Sequence, residues 1–232
     1  DKGVSSVTLE NFYEEGMPEI VIPMDPALTA NQNAQRYYKK YRKAKVAEEK
    51  LTEQIAFAQQ EVEYLDSVLD ELGRAETEKD LSEIRQELME QGYIRMLRSK
   101  GKPKMAQPAA PLKFITSDGF TVLVGRNNRQ NDKLTLKQAN NNDIWFHTKN
   151  IPGSHTILVT DGREPTDTAL WEAACIAAWH SRGKDSSQVP VDYTQVRHVN
   201  KPQGAKPGMV IYVQYKTLYV TPSLPVNQEE NS

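Results

Sequence analysis

The chain has 232 residues, room for one large domain or two small ones, and its 26% charged and 8% aromatic content fits a single modest core. No apolar run of about 18 residues occurs, which excludes a membrane-spanning helix, and Cys175, the only cysteine, excludes an intrachain disulfide framework and favours a reducing compartment. The net charge of −2 hides a partition, since residues 1–110 hold 16 Lys/Arg against 20 Asp/Glu while residues 111–226 hold 13 against 9.

Asp1-Lys2-Gly3 shows no basic-then-apolar leader pattern, and the expectation is an internal start within a longer chain. Residues 4–22 alternate around Glu15-Gly16 and predict a β-hairpin, which Pro23 and Pro26 close. Thr29 followed by Gln32 has capping-box spacing and opens a long helix, about Ala30 to Leu72 and roughly 60 Å. Along it Ala34, Tyr37, Tyr41, Ala44, Leu51, Ile55, Ala58, Val62, Leu65, Leu69 and Leu72 fall on one heptad seam that only Glu48 interrupts, the a/d signature of a coiled coil. Gly73 is a candidate C-cap. A second helix, Thr77 to about Arg98, with Thr77 and Asp80 as its cap, predicts an antiparallel coiled-coil hairpin. The helices differ in length, so half the seam is expected to need another helix, from an upstream region or from a second copy through self-association.

Residues 99–111 read as a basic Pro/Ala/Lys linker. Arg95, Arg98, Lys100, Lys102 and Lys104 cluster there without an acid, either as a phosphate-attracting hinge or as a solvated spacer. The pattern then turns extended. Asp118-Gly119 predicts a hairpin turn, Gly125–Asp132 a polar loop, and Leu134–Ala139 a short helix. Strands are expected at Asp143–Lys149, His155–Thr160, Val189–Val199, Met209–Gln214 and Thr217–Thr221, with one Ala-rich helix from Thr166 to Ser181. The fold class is therefore α+β: a short β-hairpin and a long coiled-coil helical hairpin over residues 1–98, a mostly antiparallel sheet with one main helix over 112–222, and a flexible tail at 223–232.

Three clusters carry candidate chemistry. In the Gly125–Asp132 loop, Arg126, Asn127 and Asn128 are suited to phosphate or base contacts, or alternatively to an Asn-rich turn that satisfies its own backbone. Alternation along 143–149 places Asp143, Trp145, His147 and Lys149 on one face, with His155 across the turn. That face is either a stacking surface for nucleotides or a core Trp with a polar edge. Lys201 and Lys206 lie in a Gly/Pro loop, and with Arg126, Lys149 and Arg197 they are candidates for one basic face. The spacing supports no metal site, no cofactor and no catalytic triad.

Four segments, 11–45, 80–94, 143–155 and 201–212, resemble the C-terminal half of the bacterial fibronectin-binding protein A/RqcH family, a relative of eukaryotic NEMF in the NFACT group. The motif DIWFHTKNIPGSH at 143–155 is the most specific of them. The resemblance implies a coiled-coil middle region followed by an NFACT-R domain. It also implies a non-enzymatic, cytoplasmic role in ribosome quality control. The expected partners are large-subunit RNA, the stalk-base protein and peptidyl-tRNA on obstructed 50S subunits, with support for alanine tailing of stalled chains. This portion would supply ribosome contact rather than tRNA recruitment. The alternative is a surface-exposed, fibronectin-binding adhesin exported without a signal.

Overall fold

A computed structural model describes residues 3–95 and 109–225, which separate into two compact units, one ending at Gln59 and one beginning at Gln60. In the first, strands β1 (Ser6–Glu10) and β2 (Glu19–Pro23) form an antiparallel hairpin with Val7 opposite Ile22. Helix α1 (Ala30–Arg74) follows, opened by the expected capping box: the Thr29 N–H donates to Gln32 at 2.9 Å and the Gln32 N–H to Thr29 Oγ1 at 3.3 Å. Asn33 is buried and fastens the entry. Its amide accepts from the Asp25 N–H at 2.8 Å and donates to the carbonyls of Asp25 and Thr29. Beyond Lys40 every residue of α1 up to Gln60 is exposed.

In the second unit, the end of α1 meets helix α2 (Glu78–Glu90), which begins at a Thr77–Asp80 capping box as expected. It ends at Gln91 rather than near Arg98, because Gly92 takes φ +83° and turns the chain away. Gly73 does not cap α1, which continues to Arg74.

The two helices meet through Tyr64, Val68 and Ile84, and this corrects the seam. The apolar set Val62, Leu65, Leu69 and Leu72 remains 41–63% exposed, whereas Tyr64, Val68 and Glu71, one register away, are buried. Upstream, Tyr37, Tyr41, Leu51 and Ile55 are likewise 40–60% exposed.

The sheet is antiparallel throughout. It comprises β3 (Leu112–Ile115), β4 (Thr121–Val124), β5 (Ile144–Thr148), β6 (Thr156–Val159), β7 (Val189–Gln195) and β10 (Lys216–Val220), ordered β10-β7-β5-β6-β4-β3. A separate two-stranded ribbon joins β8 (Val199–Asn200) to β9 (Ile211–Tyr212). One sheet face receives helix α4 (Asp167–Trp179), capped by Thr166, whose Ala173, Ala174, Ala177 and Ala178 allow close approach to Phe146, Leu158 and Val191. The opposite face packs Trp145, Ile157 and Leu123 against Leu134, Val199 and Tyr212. The stretch expected as a polar loop is helical instead: Asn127 caps α3 (Asn128–Lys133), which runs on into a π-helical turn, Leu134–Gln138.

Candidate nucleic-acid interface

The first polar cluster is spent on contacts inside the protein. Asn127 Oδ1 accepts the Gln130 N–H at 2.9 Å while its Nδ2 donates to Glu83 of α2 at 2.6 Å. Asn128 Nδ2 donates to Ser67 Oγ of α1 at 2.9 Å. Both asparagines are buried, so neither offers an edge to a base. Arg126 donates from Nε to the Ala110 carbonyl at 3.1 Å and lies 3.9 Å from Asp80. Amide-rich composition here serves to brace the sheet unit against α1 and α2.

Trp145 is fully buried, and this corrects the expectation of an open stacking ring. His147 lies parallel to it at 5.7 Å, His155 edge-on at 5.3 Å and Tyr212 tilted at 4.7 Å. Alternation did place Trp145 and His147 on one face and Phe146 on the other, as the two cores confirm.

His155 is buried, and desolvation pulls its pKa down to about 3. Its Nε2 faces the Gly208 carbonyl at 3.1 Å and its Nδ1 the Thr135 hydroxyl at 2.8 Å. The proton therefore belongs on Nε2, and Thr135 donates to Nδ1. Burial lowers His147 as well, so neither imidazole contributes positive charge near neutral pH. Lys149 alone of this cluster points outward, 36% exposed.

The lysines of the third cluster are held by acids. Lys201 donates to Asp132 at 2.6 Å and to the Lys206 carbonyl at 2.7 Å. Lys206 reaches Glu61 of α1 at 3.1 Å and the Tyr93 hydroxyl at 3.1 Å, with its ammonium over the Tyr93 and Tyr64 rings. The five cations proposed as one face are thus not a free patch: Arg126, Lys201 and Lys206 brace the junction, while Lys149 and the exposed Arg197 face solvent. Of the linker cations only Arg95 is described. Arg98, Lys100, Lys102 and Lys104 lie outside the described residues.

The reading of the sequence missed a buried acid pair at this junction. Glu71 and Glu87 are 2% and 1% exposed, and Glu71 has no side-chain hydrogen-bond partner among the described residues. Burial, with Glu87 close by, pushes the Glu71 carboxyl well above its usual range. Glu87 is also raised by burial, although the Tyr64 hydroxyl donates to it at 2.8 Å. Arg74, the last residue of α1, donates to Ser154 at 2.8 Å, and Arg182 donates to the Asp66 carbonyl at 2.9 Å. Also missed was Asp192, buried beneath Lys149 at 3.7 Å and held by Tyr212 and Thr217.

These elements define an α+β protein in which a long helix and a helical hairpin accompany an antiparallel sheet. Residues 1–107 match the family model described as NFACT N-terminal and middle domains, and residues 111–214 that described as the NFACT protein RNA binding domain. The Rqc2 homolog RqcH of Bacillus subtilis (strain 168) is 47% identical over 95% of this chain, and the Streptococcus suis (strain 05ZYH33) protein of the same name is 44% identical over 94%. The matched regions are 38% and 39% of those relatives, so the chain spans about two-fifths of their length. The solved C-terminal part of the fibronectin/fibrinogen-binding protein from Streptococcus suis superposes with a TM-score of 0.76 at 43% identity, over 84% of this chain and 77% of that one. The chain belongs to the NFACT family.

Proposed function

We propose that this chain is the RNA-contacting portion of a ribosome quality control factor, working in the cytoplasm without catalysis of its own. The carrying observation is the match of the sheet unit, residues 111–214, to the NFACT RNA binding domain. Similarity to RqcH proteins across nearly the whole chain supports the same reading. In it the chain engages large-subunit RNA and the stalk base of obstructed 50S subunits that carry peptidyl-tRNA, and it supports alanine tailing, with tRNA recruitment supplied elsewhere in the longer factor. Exposed cations such as Lys133, Lys137 and Arg197 provide the charge for a phosphate backbone. The test is co-sedimentation of the chain with 50S subunits across a salt series. Binding is expected to fall steeply with salt and further in K133E/K137E. Pelleting that is absent at low salt, or insensitive to salt and to that double reversal, refutes the reading. Lys201 and Lys206 are poor probes because their reversal would break internal ion pairs.

A second reading, fibronectin binding at the cell surface, draws on the description of the Streptococcus suis neighbour. It requires capture of the chain by immobilised fibronectin and labelling of the protein on intact cells.

A further inference from the structure

The sheet face that buries Trp145 continues outward to an open edge. In β10, Leu218 and Val220 enter the α4 core, so Thr217 and Tyr219 point to the Trp145 side. Register sets Thr217 beside Asp192 and Asp192 beside His147, and β10 is a terminal strand. Trp145 is 0% exposed under its cover, whereas Tyr215, just ahead of β10, is 45% exposed and Tyr219 is 63% exposed.

Tyr215 is held in place rather than merely left in water, while Tyr219 is fixed through its backbone pairing with Pro190. Tyr215 meets Tyr212 edge-on at 5.2 Å, and the Lys149 ammonium lies 4.9 Å from the centre of its ring. Lys149 is itself positioned by Asp192 beneath it, which accepts from the Tyr212 hydroxyl at 2.9 Å and the Thr217 hydroxyl at 2.5 Å. The Thr194 hydroxyl, at 3.1 and 3.2 Å from the Val213 and Gln214 carbonyls, secures the turn in which Gln214 takes φ +53°. The Tyr215–Lys149 end of the surface is therefore ordered before any ligand arrives, which lowers the entropy cost of binding there.

We propose that Tyr215 and Tyr219, with Lys149 between sheet and solvent, form a stacking platform for unpaired bases of single-stranded RNA. The inference rests on the RNA-binding reading above and assigns it a ligand form and residues. Tyr219 lies four positions beyond Tyr215, a backbone span of roughly 13 Å in extended chain, so the two engage different bases. Every base offers a π-face, so the platform tolerates sequence. A duplex keeps its bases stacked on one another and presents none. The ammonium beside Tyr215 supplies charge for the adjoining phosphate.

The test is fluorescence anisotropy of a labelled oligouridine, and of the same strand annealed into a duplex, titrated with the whole chain. Y215L and Y219L keep bulk and lose the π-face. Each is expected to weaken single-strand binding at least about fivefold and the pair more, while duplex binding is unchanged. Y215F and Y219F are expected to bind within about twofold of the parent. Single-strand binding that persists in Y215L/Y219L overturns the platform and leaves the RNA reading standing. A parent chain that binds neither probe at low salt overturns both.

Discussion

Glu71 buries a carboxyl beside a second one, Glu87, and its side-chain oxygens have no geometrically sound hydrogen-bond partner among the described residues. With its folded pKa above the ordinary 4.5, the folded state holds a proton that the unfolded chain releases. Its contribution is complete below about pH 4.5 and is lost as pH rises through the elevated folded value. E71Q keeps the shape and removes the ionisation. Calorimetry is expected to show a higher Tm than the parent at about pH 7.5, with the gap closing toward pH 4.5. His155 and His180 act with the opposite sign: burial holds each at about 3, below the ordinary 6.5, so their contribution is full above pH 6.5 and lost as pH falls below it. Gly208 adds a steric demand. It sits at φ +75°, and a Cβ there would lie 2.2 Å from Asn128 Oδ1, so G208A is expected to lower the urea midpoint by displacing the amide that joins α3 to α1. Little of this was legible from residue types. Asn128, Lys201 and Trp145 are what a nucleic-acid surface would use, and also what a buried polar junction uses. Only burial distinguishes the two, and burial depends on partners 41 to 76 positions away in sequence, such as Glu87 for Asn128 and Asp132 for Gly208.

Elements were easier to read where local chemistry decides them. Both capping boxes, the Asp118-Gly119 turn and the Ala-rich α4 follow from nearest neighbours, and they formed where spacing placed them. The Asn127–Asp132 segment misled because asparagine commonly marks turns, yet here Asn127 serves as a cap that starts a helix. The α1 seam misled for a different reason: two stripes with the same three-and-four spacing lie one residue apart. The stripe of Tyr64, Val68 and Glu71 includes a carboxylate and so reads as polar, but it is the one α2 covers. A matched pair of substitutions separates them. V68K inserts a charge at 3% exposure and is expected to cost about 3 kcal/mol or more, whereas L69K at 63% exposure should change stability by less than about 0.5 kcal/mol. Urea unfolding followed by tryptophan fluorescence reports the right unit, since Trp145, Trp171 and Trp179 all lie beyond Gln60. Equal loss from both variants would mean that α2 rests on the seam after all.

Composition and packing divide the chain at different points. The Pro/Ala/Lys stretch and the two family matches place a border near residues 107–111, while the packed unit containing the sheet begins at Gln60, inside α1. The difference arises because the sheet unit relies on helical partners for groups it has already buried. Asn127 needs Glu83, Asn128 needs Ser67, Ser154 receives Arg74, and Lys206 needs Glu61. Remove residues 60–95 and these polar groups lose their partners, while Tyr64, Val68 and Ile84 no longer shield them from water. A fragment starting at Gln60 is therefore expected to show the tryptophan-detected unfolding transition of the whole chain. One starting at residue 109 should melt lower by at least about 5 °C, since a loss near 1 kcal/mol already shifts a domain of this size by that amount. Scanning calorimetry of the two fragments decides the matter. If both melt alike, the linker is the energetic border and the helical partners contribute nothing to the sheet unit's stability.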